Sequence, residues 1–184
     1  LPMRHWYGIL CAALISTVTV TADSPPPQGD YAIGDTGPAG GIIFDDKGAV
    51  SDGWRYLEAA PEDQGSSAWG CAEVQVPGAH GDAIGTGRAN TAAILAACSG
   101  KSAARLAADY DGGGMHDWFL PAKAELSLMY TNLHRAGLGG FRRDYYWSST
   151  EDDLKWAWNQ SFKAGDQFCP DKKLKRRVRA VRAF

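Results

Sequence analysis

The chain has 184 residues, 45% of them hydrophobic and 22% charged, with a net charge of -2. That is the balance of an ordinary globular protein large enough to bury its own core. It argues against a dedicated nucleic-acid binder, whose phosphate-tracking surface makes the whole domain basic. The 22 glycines and 7 tryptophans point away from a helical bundle and toward short strands, many turns and large aromatic anchors.

Residues 1–22 read as a secretory signal. Arg4 and His5 precede an apolar run from Trp6 to Val20, and Val20-Thr21-Ala22 supplies small residues for cleavage after Ala22. The alternative is an uncleaved membrane tether, although the run is short for a span, which takes about 20 apolar residues. Residues 23–30, with Pro25-Pro26-Pro27, form a stiff Pro-rich tether. Export to the periplasm, the cell surface or the medium places Cys71, Cys98 and Cys169 in an oxidising compartment, where two can pair and one is left over.

Residues 31–184 form one domain. Residues 31–35 read as a strand, Gly37-Pro38-Ala39-Gly40 as a turn, and 41–45 as the returning strand. Residues 54–58 alternate bulky and polar side chains, the pattern of a half-buried strand. A long Gly-rich loop follows over 65–87. Thr86 caps a helix over 88–98 stopped by Gly100, and Ser102 caps a short one through Ala108. Pro121 opens a third helix whose stripe is Leu126, Met129, Tyr130 and Leu133, ended by Gly137. Glu125 holds the acidic position of a capping box, but Ala122 stands where Ser or Thr would complete it. Strands return at 145–149, 156–162 and 178–184. Strands at both ends with helices between them indicate an α+β fold of small twisted antiparallel sheets, two or three helices and adjacent terminal strands.

A search for chemistry in the sequence yields no catalytic constellation. Gly85-Thr86-Gly87 lacks the Lys-Ser/Thr of a phosphate loop, and Asp109-Tyr110-Asp111-Gly112 lacks the twelfth-position glutamate of a calcium loop. His80, His116 and His134 have no metal-ligand spacing, so no metal or other cofactor is assigned. Ser148-Ser149 has no nucleophile-elbow pattern. The chain ends in a basic run of Lys172, Lys173, Lys175, Arg176, Arg177, Arg179 and Arg182. Salt-bridging strand arginines account for it better than a polyanion patch.

Five segments carry a resemblance: GDTGPAGGIIFDD (34–46), AIGTGRANTAAILAAC (83–98), DWFLPAKAELSLMYTNLH (117–134), YYWSST (145–150) and RVRAVRAF (177–184). Together they resemble the bacterial family DUF1566, which is similar to C-type-lectin-fold proteins of the formylglycine-generating-enzyme type. The resemblance implies a lectin-like fold with Trp118, Trp147 and Phe184 as core anchors, to which the alternation of the 156–162 strand adds Trp158 and Phe162. It also implies the disulfide Cys71–Cys98, because the further cysteine of relatives is replaced here by Ala107. Cys169 is then a single thiol, expected to be exposed and activated by nearby basic residues. One thiol does not supply the copper-holding cysteines of formylglycine-generating enzymes, so the chain is not read as an enzyme. The sugar-binding calcium triplets of C-type lectins are also missing from the sequence.

A sharper resemblance is to the variable proteins of diversity-generating retroelements, in which the C-terminal segment of a lectin-like domain is rewritten at adenines of an Asn-rich template. The matching frame is Ala157-Trp158-Asn159-Gln160, Phe162, Gly165, Gln167, Lys172 and Arg177-Val178-Arg179. Between these lie Asp152, Asp153, Leu154, Ser161, Ala164, Asp166, Phe168, Cys169, Pro170, Asp171, Leu174 and Arg176, each reachable from an AAC codon by changing adenines alone. Lys155, Trp156, Lys163, Lys173 and Lys175 either derive from template codons ending in a purine or are not diversified. The resemblance implies that the region 151–176 is a variable, exposed patch binding a protein or glycan on another cell or phage. Strand parity would turn Trp156 inward with Trp158, Gln160 and Phe162 unless a bulge or strand end intervenes. The alternatives are a non-diversified structural or adhesive protein of the same fold, or an enzyme of the formylglycine-generating type.

Overall fold

The computed structural model describes residues 29–184, so the signal segment, its cleavage point and most of the tether lie outside the described residues. No described helix is long and apolar enough to cross a membrane.

The fold is α+β. Strands β1 (Ile42–Ser51) and β2 (Trp54–Ala59) form an antiparallel pair, and β2 also pairs with the last strand, β8 (Val181–Ala183). The expected meeting of N- and C-terminal strands is this three-stranded sheet, ordered β1-β2-β8. Residues 31–35, expected as a strand, are instead a turn. Asp35 folds back to accept the Ala32 N–H on its carboxylate at 2.8 Å, a local bond that closes the turn, and pairing with β1 is limited to the backbone of Gly34 and Asp35 against Ile43 and an isolated bridge from Thr36 to Ile42. The 37–40 turn forms as expected, with the Gly40 N–H donating to Gly37 O at 3.0 Å.

The second sheet has five strands in the order β3-β7-β4-β5-β6. They are β3 (Ser66–Ser67), β4 (Tyr145–Glu151), β5 (Ala157–Ser161), β6 (Gln167–Phe168) and β7 (Arg176–Arg177). Residues 178–180, expected to continue one terminal strand, lie outside both β7 and β8. The run is split because Arg179 turns inward to Asp63, Ala60 O and Gly139 O.

Helix α1 spans Gly87–Ala97, α2 Ala103–Ala108 and α3 Lys123–Leu128, the last continuing as a π turn (Met129–Leu133) and a 3-10 turn (His134–Ala136). Gly137, at φ 75°, ends this run in the left-handed conformation that glycine adopts without a Cβ clash. Ser102 caps α2, accepting the Arg105 N–H at 3.0 Å. Thr86 does not cap α1: its hydroxyl donates to Ala83 O at 2.7 Å and so tightens the preceding turn. At α3 the carboxylate half of a capping box is present, the Ala122 N–H donating to Glu125 at 2.6 Å. Ala122 has no side-chain acceptor, so the reciprocal bond is missing. Glu125 is fully buried and also accepts the Gly85 N–H at 2.8 Å; burial pushes its carboxyl up to about 7 against the pull of these donors. Gly87 permits the approach, since a Cβ there would fall on Glu125 and within 2.8 Å of Ala122 N.

Strand β4 is central to the packing. Successive strand side chains point to opposite faces, and both faces of β4 are covered. Trp147 enters a cluster with Trp69, Ile94, Trp118, Leu120 and Val178. Tyr146 enters another with Phe44, Leu57, Leu126, Met129 and Phe162. Trp118, Trp147 and Phe162 are buried as expected. Phe184 is not a core residue but half-buried at the sheet edge, its ring 5.7 Å from Tyr31 and 5.6 Å from Tyr56.

Cys71 and Cys98 form a disulfide with Cα atoms 5.2 Å apart, tying the 65–87 loop to the end of α1. It closes a loop of sequence separation 27. Replacing both cysteines by serine should cost about 2–4 kcal/mol, chiefly by freeing the unfolded chain. A urea titration that leaves the midpoint unchanged would contradict this.

Candidate functional site

The 151–176 segment starts at the end of β4 and returns through β5, β6 and the loop before β7. Most of its frame is withdrawn from solvent. Ala157, Asn159, Gln160, Phe162 and Lys172 are inaccessible or nearly so, and Gly165, Gln167 and Arg177 are half-buried. Of the residues between, Asp152, Asp153, Leu154, Lys155, Trp156, Lys163, Ala164, Asp166, Phe168, Lys173, Leu174 and Lys175 are exposed. Cys169, Asp171 and Arg176 are half-buried.

Two residues expected in the exposed set are buried. Ser161 is the last residue of β5, where its hydroxyl accepts the Ala164 N–H at 3.2 Å and pins the following turn. Pro170 is held under the sheet edge, its carbonyl accepting the Ala157 N–H at 3.3 Å. The exposed positions group at the two ends of β5, with Phe168 paired opposite Asn159 between them.

Trp156 points outward at 40% exposure, because regular β5 starts only at Ala157 and Trp156 makes an isolated bridge to Asp171. Trp158 is a correction: it is half-buried, not a core anchor, and Lys123 Nζ sits 3.2 Å from its ring centroid. Lys123 also lines a shallow cleft of about 390 Å³ with Asp82, Ile84, Leu128 and Gln167.

Cys169 is half-buried, not the exposed and activated thiol expected. Burial, reinforced by the charge of Asp152, pushes its thiol up to about 12, so the basic neighbours do not activate it. The thiolate is the reactive form. Disulfide-exchange labelling at pH 8 should therefore run at least about tenfold slower than for a free cysteine; labelling at the free rate would refute this.

The loops at one end are anchored by a buried ion pair that the sequence did not disclose. Lys172 and Glu151 are fully buried and in direct contact. Lys172 Nζ also donates to Val74 O at 3.0 Å and Leu154 O at 3.3 Å, and lies 4.7 Å from the Trp69 ring centroid. Both oxygens of Glu151 accept the Val76 N–H at 2.9 Å, and His80 Nε2 is 3.4 Å from one of them. Each remaining charge and lone pair thus has a partner, which a buried pair requires.

The C-terminal basic run is dispersed by pairing. Arg177 meets Asp63 and Asp144, Arg179 meets Asp63, and Arg182 meets Glu58 and Asp117. Lys173 pairs with Glu73 at the surface. Among the described residues no carboxylate lies within ion-pairing range of Lys175 or Arg176. Tyr145 also belongs to this surface, although its place in an apolar run disguised it. It is 38% exposed, with Phe168 packed edge-on at 5.3 Å and the Arg176 guanidinium 4.8 Å above its ring.

No group of three or more His, Cys, Asp or Glu residues suited to a metal ion occurs among the described residues. No family model and no curated protein matches the chain.

Proposed function

We propose that the chain is an exported, non-enzymatic binding protein of C-type-lectin-like fold, whose 151–176 segment is the diversified surface of a diversity-generating retroelement. The observation that carries this is the division of the segment. The residues matching the frame lie in or against the core, and most of those between them face solvent. Side chains that touch little can be exchanged at a cost within about 0.5 kcal/mol each, so the fold tolerates variation where binding uses it. The paired terminal strands and small sheets support the lectin-like reading. Exposed aromatic, aliphatic and arginine side chains supply the anchors on which protein recognition concentrates.

The decisive genomic test is whether a reverse transcriptase and a second, Asn-coding copy of the segment 145–184 lie nearby. Their absence would favour a non-diversified adhesive protein of the same fold. At the protein level, replacing Phe168, Leu174 and Arg176 together by alanine should abolish binding to target cells, measured by flow cytometry. The unfolding midpoint should stay within a few degrees of wild type. Retained binding by this variant would defeat the patch reading.

A further inference from the structure

Arg176 is the one arginine of the C-terminal basic run without a carboxylate in range among the described residues, yet its guanidinium is held in place. In the orientation that satisfies both ends of its amide, Asn159 accepts from Arg176 Nε at 3.1 Å and donates to Phe168 O at 3.0 Å. Asn159 is 1% exposed, so one buried amide fixes both the arginine and the backbone of the neighbouring aromatic. The guanidinium is stacked over Tyr145, and Nη1 reaches only the Lys175 carbonyl at 3.3 Å. A planar fork whose Nε is already occupied and whose plane is set by an aromatic ring loses little freedom on meeting a carboxylate.

The surroundings favour a peptide over a sugar. Leu174 and Phe168 are exposed at 43% and 37%, offering apolar contact beside the charge. The guanidinium occupies the face of Tyr145 on which a sugar ring would stack. Lys175 is exposed next in sequence, Arg143 is exposed two residues before Tyr145, and the intervening Asp144 is paired with Arg177, so the local field favours an anion.

We propose that Arg176, clamped by Asn159 over Tyr145 and beside Phe168, anchors a carboxylate of an acidic, partly apolar peptide segment on the partner protein. This rests on the reading of 151–176 as a binding surface.

The test uses the full chain and three probes: a capped peptide of alternating glutamate and leucine, its glutamine counterpart, and a uronate tetrasaccharide. Binding is followed by side-chain Nε–Hε resonances in arginine-labelled protein. The glutamate peptide should shift the Arg176 resonance saturably, and the glutamine peptide should bind at least about tenfold more weakly. Arg176→Gln should weaken the glutamate peptide by about tenfold or more. Arg176→Lys, which keeps the charge but not the fork, should fall nearly as far. Arg143→Gln should cost less than about threefold, as an exposed charge does. No saturable shift at Arg176, equal losses in the Arg143 and Arg176 variants, or tighter binding of the uronate would each overturn the proposal. The cell-binding comparison separates the two readings. If the triple alanine variant loses target cells while Arg176→Gln keeps them, the patch stands and the carboxylate anchor does not.

Discussion

Replacing Trp147 by alanine should destabilise the domain by about 3–5 kcal/mol, a large share of the stability of a typical domain. Trp147 is fully buried, and its indole N–H donates to Ser67 O at 3.0 Å, joining β4 to the first residues of the sheet. Trp69 makes the return connection, donating to Ser148 O at 2.8 Å. Truncation therefore opens a cavity at a site packed against Trp69, Trp118, Ile94 of α1 and the alanines of α2, where collapse is limited, and also leaves a carbonyl without its donor. Trp158→Ala should behave differently, costing about 1–2 kcal/mol, because only part of that ring is removed from water. Urea titrations of the two variants separate them; similar midpoints would show that the half-exposed tryptophan carries more of the fold than its burial implies.

The second large effect is expected at Lys172. Lys172→Ala leaves the Glu151 carboxylate buried, with the Val76 N–H and the half-exposed His80 as its remaining partners. Removing one member of a buried pair costs about 3–5 kcal/mol, because the other charge is stranded. The double variant Lys172→Met with Glu151→Gln should recover a large part of the loss, since no net charge then remains inside. A double-mutant cycle checks this, and additive losses would refute the coupling. The single variant should also impair binding, because Val74 O and Leu154 O lose the ammonium that holds their two loops together.

The elements of strong local pattern were legible in the sequence. The 123–136 helical run carries its apolar stripe and ends at Gly137, and Ser102 caps α2. The disulfide followed from resemblance, not from spacing. What the sequence concealed depends on contacts between distant segments. Thr86 and Asp35 both use their side chains for local turns, and propensity alone does not distinguish a cap from a turn. Trp158 obeys strand parity, but the surface it faces is the rim beside Lys123, and parity does not say what lies opposite. The fate of each basic residue was equally hidden. Lys172 and Lys173 are adjacent, one fully buried against Glu151 and the other exposed against Glu73, because acids far away in the chain decide the matter.

The pairing of β8 with β2 governs when this domain can fold. Arg182 bonds Glu58 across a sequence separation of 124, and the Phe184 carbonyl accepts from the Arg55 and Tyr56 N–H groups at 2.7 and 2.9 Å. Contacts of such long range reward the chain only after a large loop-closure entropy has been met. The three-stranded sheet cannot close until Val181–Ala183 has been synthesised. By then the whole 151–176 segment has been added to the chain, whatever residues it carries. Substitutions in that segment therefore act on a chain that is still open, and closure of the strand beyond it is a late checkpoint on whether the substituted chain folds.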